Sequence, residues 1–289
     1  MTDSPAQPKN LLAALTLFLL APLVGEFLLG NMPITWIWLM LVLAPLYGGG
    51  ALLVRETAVR LGAGWPGIFL LGLAYGIVEE AYVDMSLFNP NFLGLRLLDY
   101  GYVPALGIGA WWTVFVLGLH TIWSTAAAIG LAEALWPNHS GRPWLNKWTL
   151  PVTALVFLLG CLAIFSNFKA DFMPSPGQMA GAAVAIALLV VVTWLIGRRP
   201  AAASTAFMLA MLAVPATLVL RWSRRPGWSA LHRLALTGGA LLTYGWWAIV
   251  QTPSTPGTSA LVDTIGNGVF AVGAMGLLWL AFRRVRTAE

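Results

Sequence analysis

The chain has 289 residues, of which 59% are apolar and 9% charged, with a mean hydropathy of +0.79. Soluble proteins average ~25% charged residues, so this composition excludes a water-soluble fold: there is too little polar surface to cover a core of this size. The net charge of +5 does not point to nucleic acid, because thirteen of the sixteen basic residues are arginines scattered at the ends of apolar runs, where they read as topology signals and headgroup contacts.

At ~20 residues per crossing, the apolar runs predict spans at 11–30, 34–54, 66–86, 107–136, 150–167, 178–197, 203–220, 230–250 and 262–282. The expected fold is therefore all-α: one polytopic integral membrane bundle of eight or nine helices over 1–289, with no soluble domain. The first run lacks a small-residue cleavage site and reads as a retained helix rather than a removed signal peptide. Strands are not expected, since the runs are continuous and lack the alternation of a membrane barrel. Pro22, Pro45 and Pro215 fall inside spans and predict kinks, which membranes tolerate. Trp136, Trp144 and Trp148 bracket one loop, and Trp222 and Trp228 another, as interfacial anchors do. The single cysteine, Cys161, rules out an intrachain disulfide.

Basic residues set the expected orientation. A cytoplasmic N-terminus places Lys9, Arg55, Arg60, Arg142, Lys147, Arg198 and Arg199 inside, leaving only Arg96 and Lys169 in the outer loops. Arg221, Arg224 and Arg225 break this pattern if 203–220 crosses. If it does not cross, Arg283, Arg284 and Arg286 also lie inside. The expected location is a bacterial plasma membrane, with membrane lipids as partners and no nucleic acid.

Spans beyond residue 150 carry almost nothing ionisable in mid-span and read as packing helices. The helices of 11–136 carry Glu26, Arg55, Glu56, Glu79, Glu80, Asp84, His120 and Glu133. A carboxylate in hydrocarbon costs at least ~2.5–3.5 kcal/mol, which makes each one a site candidate. Glu79 and Glu80 are adjacent and point ~100° apart on an α-helix, so both are not expected to face one partner equally. Gly76, Glu80 and Asp84 share one stripe; Tyr75, Glu79 and Tyr82 share the next. His120 and Ser124, one turn apart on the following helix, face the same side. Counted from the helix ends at ~1.5 Å per residue, Glu80 and His120 come within one or two turns of the same depth. Glu26 either borders the same cavity or reaches headgroups. Arg55 either pairs with Glu56 at the inner interface or serves a substrate carboxylate. Glu133 reads as interfacial. The outer loop 87–106 is a lid or a packed connector.

Several chemistries are set aside. No His-Glu-x-x-His, Gly-x-Gly-Asp or nucleophilic Gly-x-Ser pattern occurs, and His120, His139 and His232 are far apart in the chain. No metal and no cofactor is expected.

Glu79-Glu80 with His120 about 40 residues later resembles the CAAX-protease-and-bacteriocin-processing family of glutamate-dependent intramembrane peptidases. That family carries Glu-Glu-x-x-x-Arg on one helix, Phe-x-x-x-His on the next, and a later His-x-x-x-Asn or Asp. The resemblance covers about residues 79–124. It implies that Glu79 activates a water, that His120 stabilises the oxyanion and that Glu80 orients either, on a transmembrane or lipidated peptide substrate. The sequence departs from the family's pattern at Asp84, which stands in place of the arginine, and at Phe115, five residues before His120. It departs again at His232, which is followed at the fourth position by Leu236. The alternative is a non-enzymatic bundle, transporter-like, lipid-binding or a complex subunit, using Glu79, Glu80 and His120 as a proton or ligand site.

Overall fold

The computed structural model describes residues 8–198, 221, 226–250 and 259–288. Within them the chain is an all-α bundle. Helix α1 (Pro8–Pro22) continues as a π-helical turn, Leu23–Leu28. It is followed by α2 (Leu39–Leu61), then by α3 (Gly64–Val78) with a π-turn at Glu79–Val83. Helix α4 runs Ala110–Leu135 with a π-helical middle at Leu119–Ala127. Helices α5 (Thr149–Phe168), α6 (Pro176–Arg198), α7 (Ala230–Val250) and α8 (Ala260–Ala288) complete the described bundle. Seven helices among the described residues are long and apolar enough to cross a membrane. The expected span 203–220 lies outside the described residues.

One span boundary needs correction. The second span was expected to end at residue 54, yet α2 continues through Arg55, Glu56 and Arg60 to Leu61, because those charges pair with one another. Gly62 then stops it in the left-handed conformation that a glycine cap adopts freely. The spans are helical as expected; the short antiparallel pair Tyr102–Val103 with Ile108–Gly109 lies in the loop between α3 and α4.

Helices α1 to α4 form the buried centre. Helices α5 and α6 turn large apolar side chains such as Leu155, Leu158, Val184 and Leu188 outward, a surface suited to lipid tails. The ends of the bundle differ. A Cβ on Gly197 would strike the Leu61 carbonyl, which sets Arg198 beside Arg60. Arg284 donates to the Leu135 carbonyl at 2.7 Å and stacks over Trp136, so the end of α8 joins the same side. Helices α7 and α8 are antiparallel, with Asn267 bonded to the Ala248 carbonyl and Gly238 beside Leu278. The start of α7 therefore also lies at this arginine-rich end. The opposite end holds Arg96 and Lys169, near the stacked rings of Phe92 and Phe168.

Candidate functional site

Helix α3 is apolar and buried until it reaches Glu79, where the backbone widens: the Asp84 amide donates to the Glu79 carbonyl five residues back, at 3.0 Å. Asp84 then ends the helix. Its side chain accepts from the Ser86 amide at 3.0 Å, Met85 takes a positive φ, and the Leu87 amide returns to the Glu80 carbonyl. This Asx-type turn folds Ser86 back so that its hydroxyl donates to Glu80. Trp112 of α4 donates to the Ser86 hydroxyl at 3.0 Å, which holds that hydroxyl from the second helix.

Helix α4 widens at the same depth. Thr121 donates back to the Leu117 carbonyl, a bond that competes with the helical ladder and bends it. His120 thereby points at α3, with Gly76 beneath it: a Cβ at Gly76 would stand 3.0 Å from the His120 Cβ. The imidazole sits between the two carboxylates. Its Nε2 is 2.6 Å from Glu80 Oε1 and its Nδ1 is 3.1 Å from Glu79 Oε2. All three residues are at most 4% exposed. Both glutamates reach one imidazole, but not equally, in keeping with the expected angle between them. An imidazole offers two nitrogens on opposite sides, one for each carboxylate.

The two contacts differ in kind. Nε2 and Glu80 form a hydrogen bond. Nδ1 and Glu79 Oε2 lie close but out of line, and neither atom has a hydrogen-bond partner. The Tyr75 hydroxyl, also buried, interacts electrostatically with Glu79 without reaching hydrogen-bond geometry to any atom. Its ring stands edge-on to His120 and packs against Gly50, where a Cβ would intrude to 2.4 Å. Buried polar atoms without partners are uncommon. Three of the six among the described residues gather here, and the others are the hydroxyls of Ser124, Thr125 and Tyr244.

Glu26 approaches from α1. Pro22 removes a helical N–H, and the helix reorganises into the π-turn that carries Glu26. Its carboxylate accepts from the Tyr47 hydroxyl and from Asn31 at 3.2 Å, and it interacts electrostatically with His120 and Glu80. Ser124 is buried and its hydroxyl has no partner; it faces Gly25 of the same π-turn.

Arg55 lies elsewhere, at the arginine-rich end. It bonds Glu56 at 2.9 Å and Glu133 at 3.1 Å, and donates to the Arg142 carbonyl. Glu133, expected at the interface, is buried in this network. Trp144, expected as an anchor, is buried too, because its ring covers the Arg55 guanidinium at 3.4 Å.

Residues 15–262 match the model of an uncharacterized membrane protein family. The chain belongs to that family. No curated protein and no solved structure matches it. The matched region of this uncharacterized membrane protein spans every residue of the cluster, and the match carries no link to the CAAX-protease-and-bacteriocin-processing peptidases. Sequence reasoning missed Tyr47, Ser86 and Trp112. It placed Tyr75 beside Glu79 without giving it a role. The available signal was that Tyr75 precedes Glu79 by one helical turn.

Proposed function

We propose that this membrane protein is a glutamate-type intramembrane hydrolase that cleaves a peptide bond in a transmembrane or lipidated substrate. One observation carries the reading. A carboxylate oxygen of Glu79 and the Nδ1 of His120 converge to 3.1 Å, both buried and without a hydrogen-bond partner, so that a water beside them would meet a base and an imidazole together. Glu79 takes a proton from that water while its oxygen attacks the substrate carbonyl carbon. As the C–N bond breaks, Glu79 returns the proton to the leaving nitrogen. His120 donates to the developing oxyanion, in a setting where one such donor is worth ~10²–10³ in rate. Glu80 positions His120 through the Nε2 bond and is itself held by Ser86.

The resemblance to the CAAX-protease-and-bacteriocin-processing family supports the roles of Glu79, Glu80 and His120 alone. Asp84 serves the turn that ends α3, Phe115 is partly exposed and stacks on Trp111, and the side chain of His232 contacts Ser229.

The test uses proteoliposomes holding the full chain and a quenched fluorescent transmembrane peptide library, with a prenylated peptide in parallel. Cleavage is expected to fall at least ~100-fold in Glu79→Gln and His120→Ala. Cleavage undiminished in both variants would sink the reading.

A second reading, a proton or ligand site in a non-enzymatic bundle, is favoured by the tight packing of Gly76 on His120. It is also favoured by a concavity of about 260 Å³ that lies away from the cluster, at the arginine-rich end beside Trp136 and Arg284. Under that reading proton flux or ligand binding, not cleavage, is lost with Glu79→Gln.

A further inference from the structure

We infer that the open pole of His120, bounded by Glu79 and the Tyr75 hydroxyl, is a binding site for one divalent transition-metal ion, with zinc or manganese as the fitting chemistry. The inference goes beyond the hydrolase reading and stands on the site alone.

The first support is spacing. One ligand atom each from Glu79, Glu80 and His120 falls within 4.8 Å of the others. Two neighbouring ligands ~2.1 Å from a common ion are ~3.0–3.4 Å apart, and His120 Nδ1 stands 3.1 Å from Glu79 Oε2. The second is the state of the imidazole. Nε2 is taken up by Glu80, whose other oxygen accepts from Ser86, so Nδ1 is the nitrogen left to face Glu79, and an ion bound there takes the place of its proton. A carboxylate behind a histidine is the usual outer support of a histidine ligand. Glu80 fills that place, with Trp112 bracing Ser86 behind it.

The third is independent of the acidic pair. Tyr75 is 5% exposed, is fixed by packing on Gly50 and brings an unpartnered hydroxyl to Glu79. A phenol oxygen, an imidazole nitrogen and a carboxylate form a mixed donor set that suits zinc or manganese better than an all-oxygen ion such as calcium. The fourth is charge. Two buried carboxylates here meet one imidazole, and Arg55 is committed to Glu56 and Glu133. A dication neutralises the pair. The sequence-based exclusion of metal counted histidines, and this donor set needs only one.

The full chain, purified in detergent and stripped with EDTA, is titrated with ZnCl₂ and MnCl₂, with MgCl₂ as the hard-cation control. Bound metal is counted by mass spectrometry after gel filtration, and affinity is read by calorimetry. About one zinc or manganese ion per chain is expected. Glu79→Gln and His120→Ala should each weaken binding at least ~100-fold, and Glu80→Gln ~10–100-fold. Tyr75→Phe should weaken it several-fold, while His139→Ala and His232→Ala leave it unchanged. Wild-type protein that retains less than about a tenth of an ion overturns the inference, as does binding that survives both Glu79→Gln and His120→Ala. Cleavage by a chain that takes up no ion in the titration overturns the inference and leaves the hydrolase reading standing. One bound ion without cleavage does the reverse.

Discussion

At the arginine-rich end, Arg55 and Arg60 meet Glu56 and Glu133, two cations for two carboxylates. Further along α4, where α3 packs against it, Glu79 and Glu80 share a single imidazole. Both clusters are buried, and both bridge helices far apart in the chain. They differ in how completely they are satisfied. The arginine cluster also bonds the carbonyls of Arg142 and Leu145 and the amides of Trp144 and Leu145, so it ties the loop after α4 to α2. The acidic cluster leaves Glu79 Oε2, His120 Nδ1 and the Tyr75 hydroxyl without hydrogen bonds. A saturated network holds structure. An unsaturated one, kept at the junction of π-turns that are themselves frequent at functional sites, is arranged to meet something else.

The largest effect should therefore come from the saturated cluster. Arg55→Leu leaves Glu56 and Glu133 short of their shared cation and removes the ring contact of Trp144. Breaking a buried pair from one side costs ~3–5 kcal/mol, and the expected readout is a large fall in thermal unfolding midpoint in detergent. A loss below ~1 kcal/mol would erase the contrast between the clusters.

Glu79→Gln should behave oppositely. It keeps the shape of the side chain and relieves like charge beside Glu80, so stability should stay within ~1 kcal/mol while cleavage falls at least ~100-fold. Unfolding and cleavage measured on one preparation separate the two effects. If both fall together, the acidic cluster is structural after all.

Ser86→Ala comes next. It removes the hydroxyl that holds Glu80 and receives the Trp112 indole, at a cost of ~1 kcal/mol in stability. The Glu80 carboxylate keeps its His120 bond but loses its anchor. Cleavage should drop about tenfold, and Ser86→Thr should restore part of it.

The parts legible in the sequence share one property: they are exceptions against an apolar background. Glu79, Glu80, His120 and Glu26 stand out because each sits in a run that otherwise fits lipid, and helix spacing placed Glu80 and His120 within one or two turns of the same depth. The helical class and most span positions follow from run length alone. What was hidden depends on partners far away in the chain. Nothing local tells that Glu133 meets Arg55 across 78 positions, or that Trp144 leaves the interface to cover a guanidinium. The π-turns were hidden as well, because one widened turn alters the hydrophobic period too little to read. Tyr47 carried no signal, since only the fold brings its hydroxyl to Glu26.

The smallest effect tests whether the spacing of α3 against α4 matters by itself. Gly76→Ala adds one methyl 3.0 Å from the His120 Cβ, so the helices must part by a few tenths of an ångström. Alanine favours the helix over glycine by ~0.5–1 kcal/mol, which offsets the crowding, and stability should barely move. The contact between His120 and the carboxylates has no such slack, because misplacement of ~1 Å at a reacting centre can cost ~10² in rate. A several-fold loss of cleavage at unchanged stability is expected. Gly118→Ala is the control: it lies in α4 just before the widened segment, and a Cβ there meets nothing within 4 Å. It should raise stability by the same ~0.5–1 kcal/mol and leave cleavage untouched. Equal cleavage in the two variants would mean that the α3–α4 spacing does not govern the cluster, and that its geometry is set from the π-turns alone.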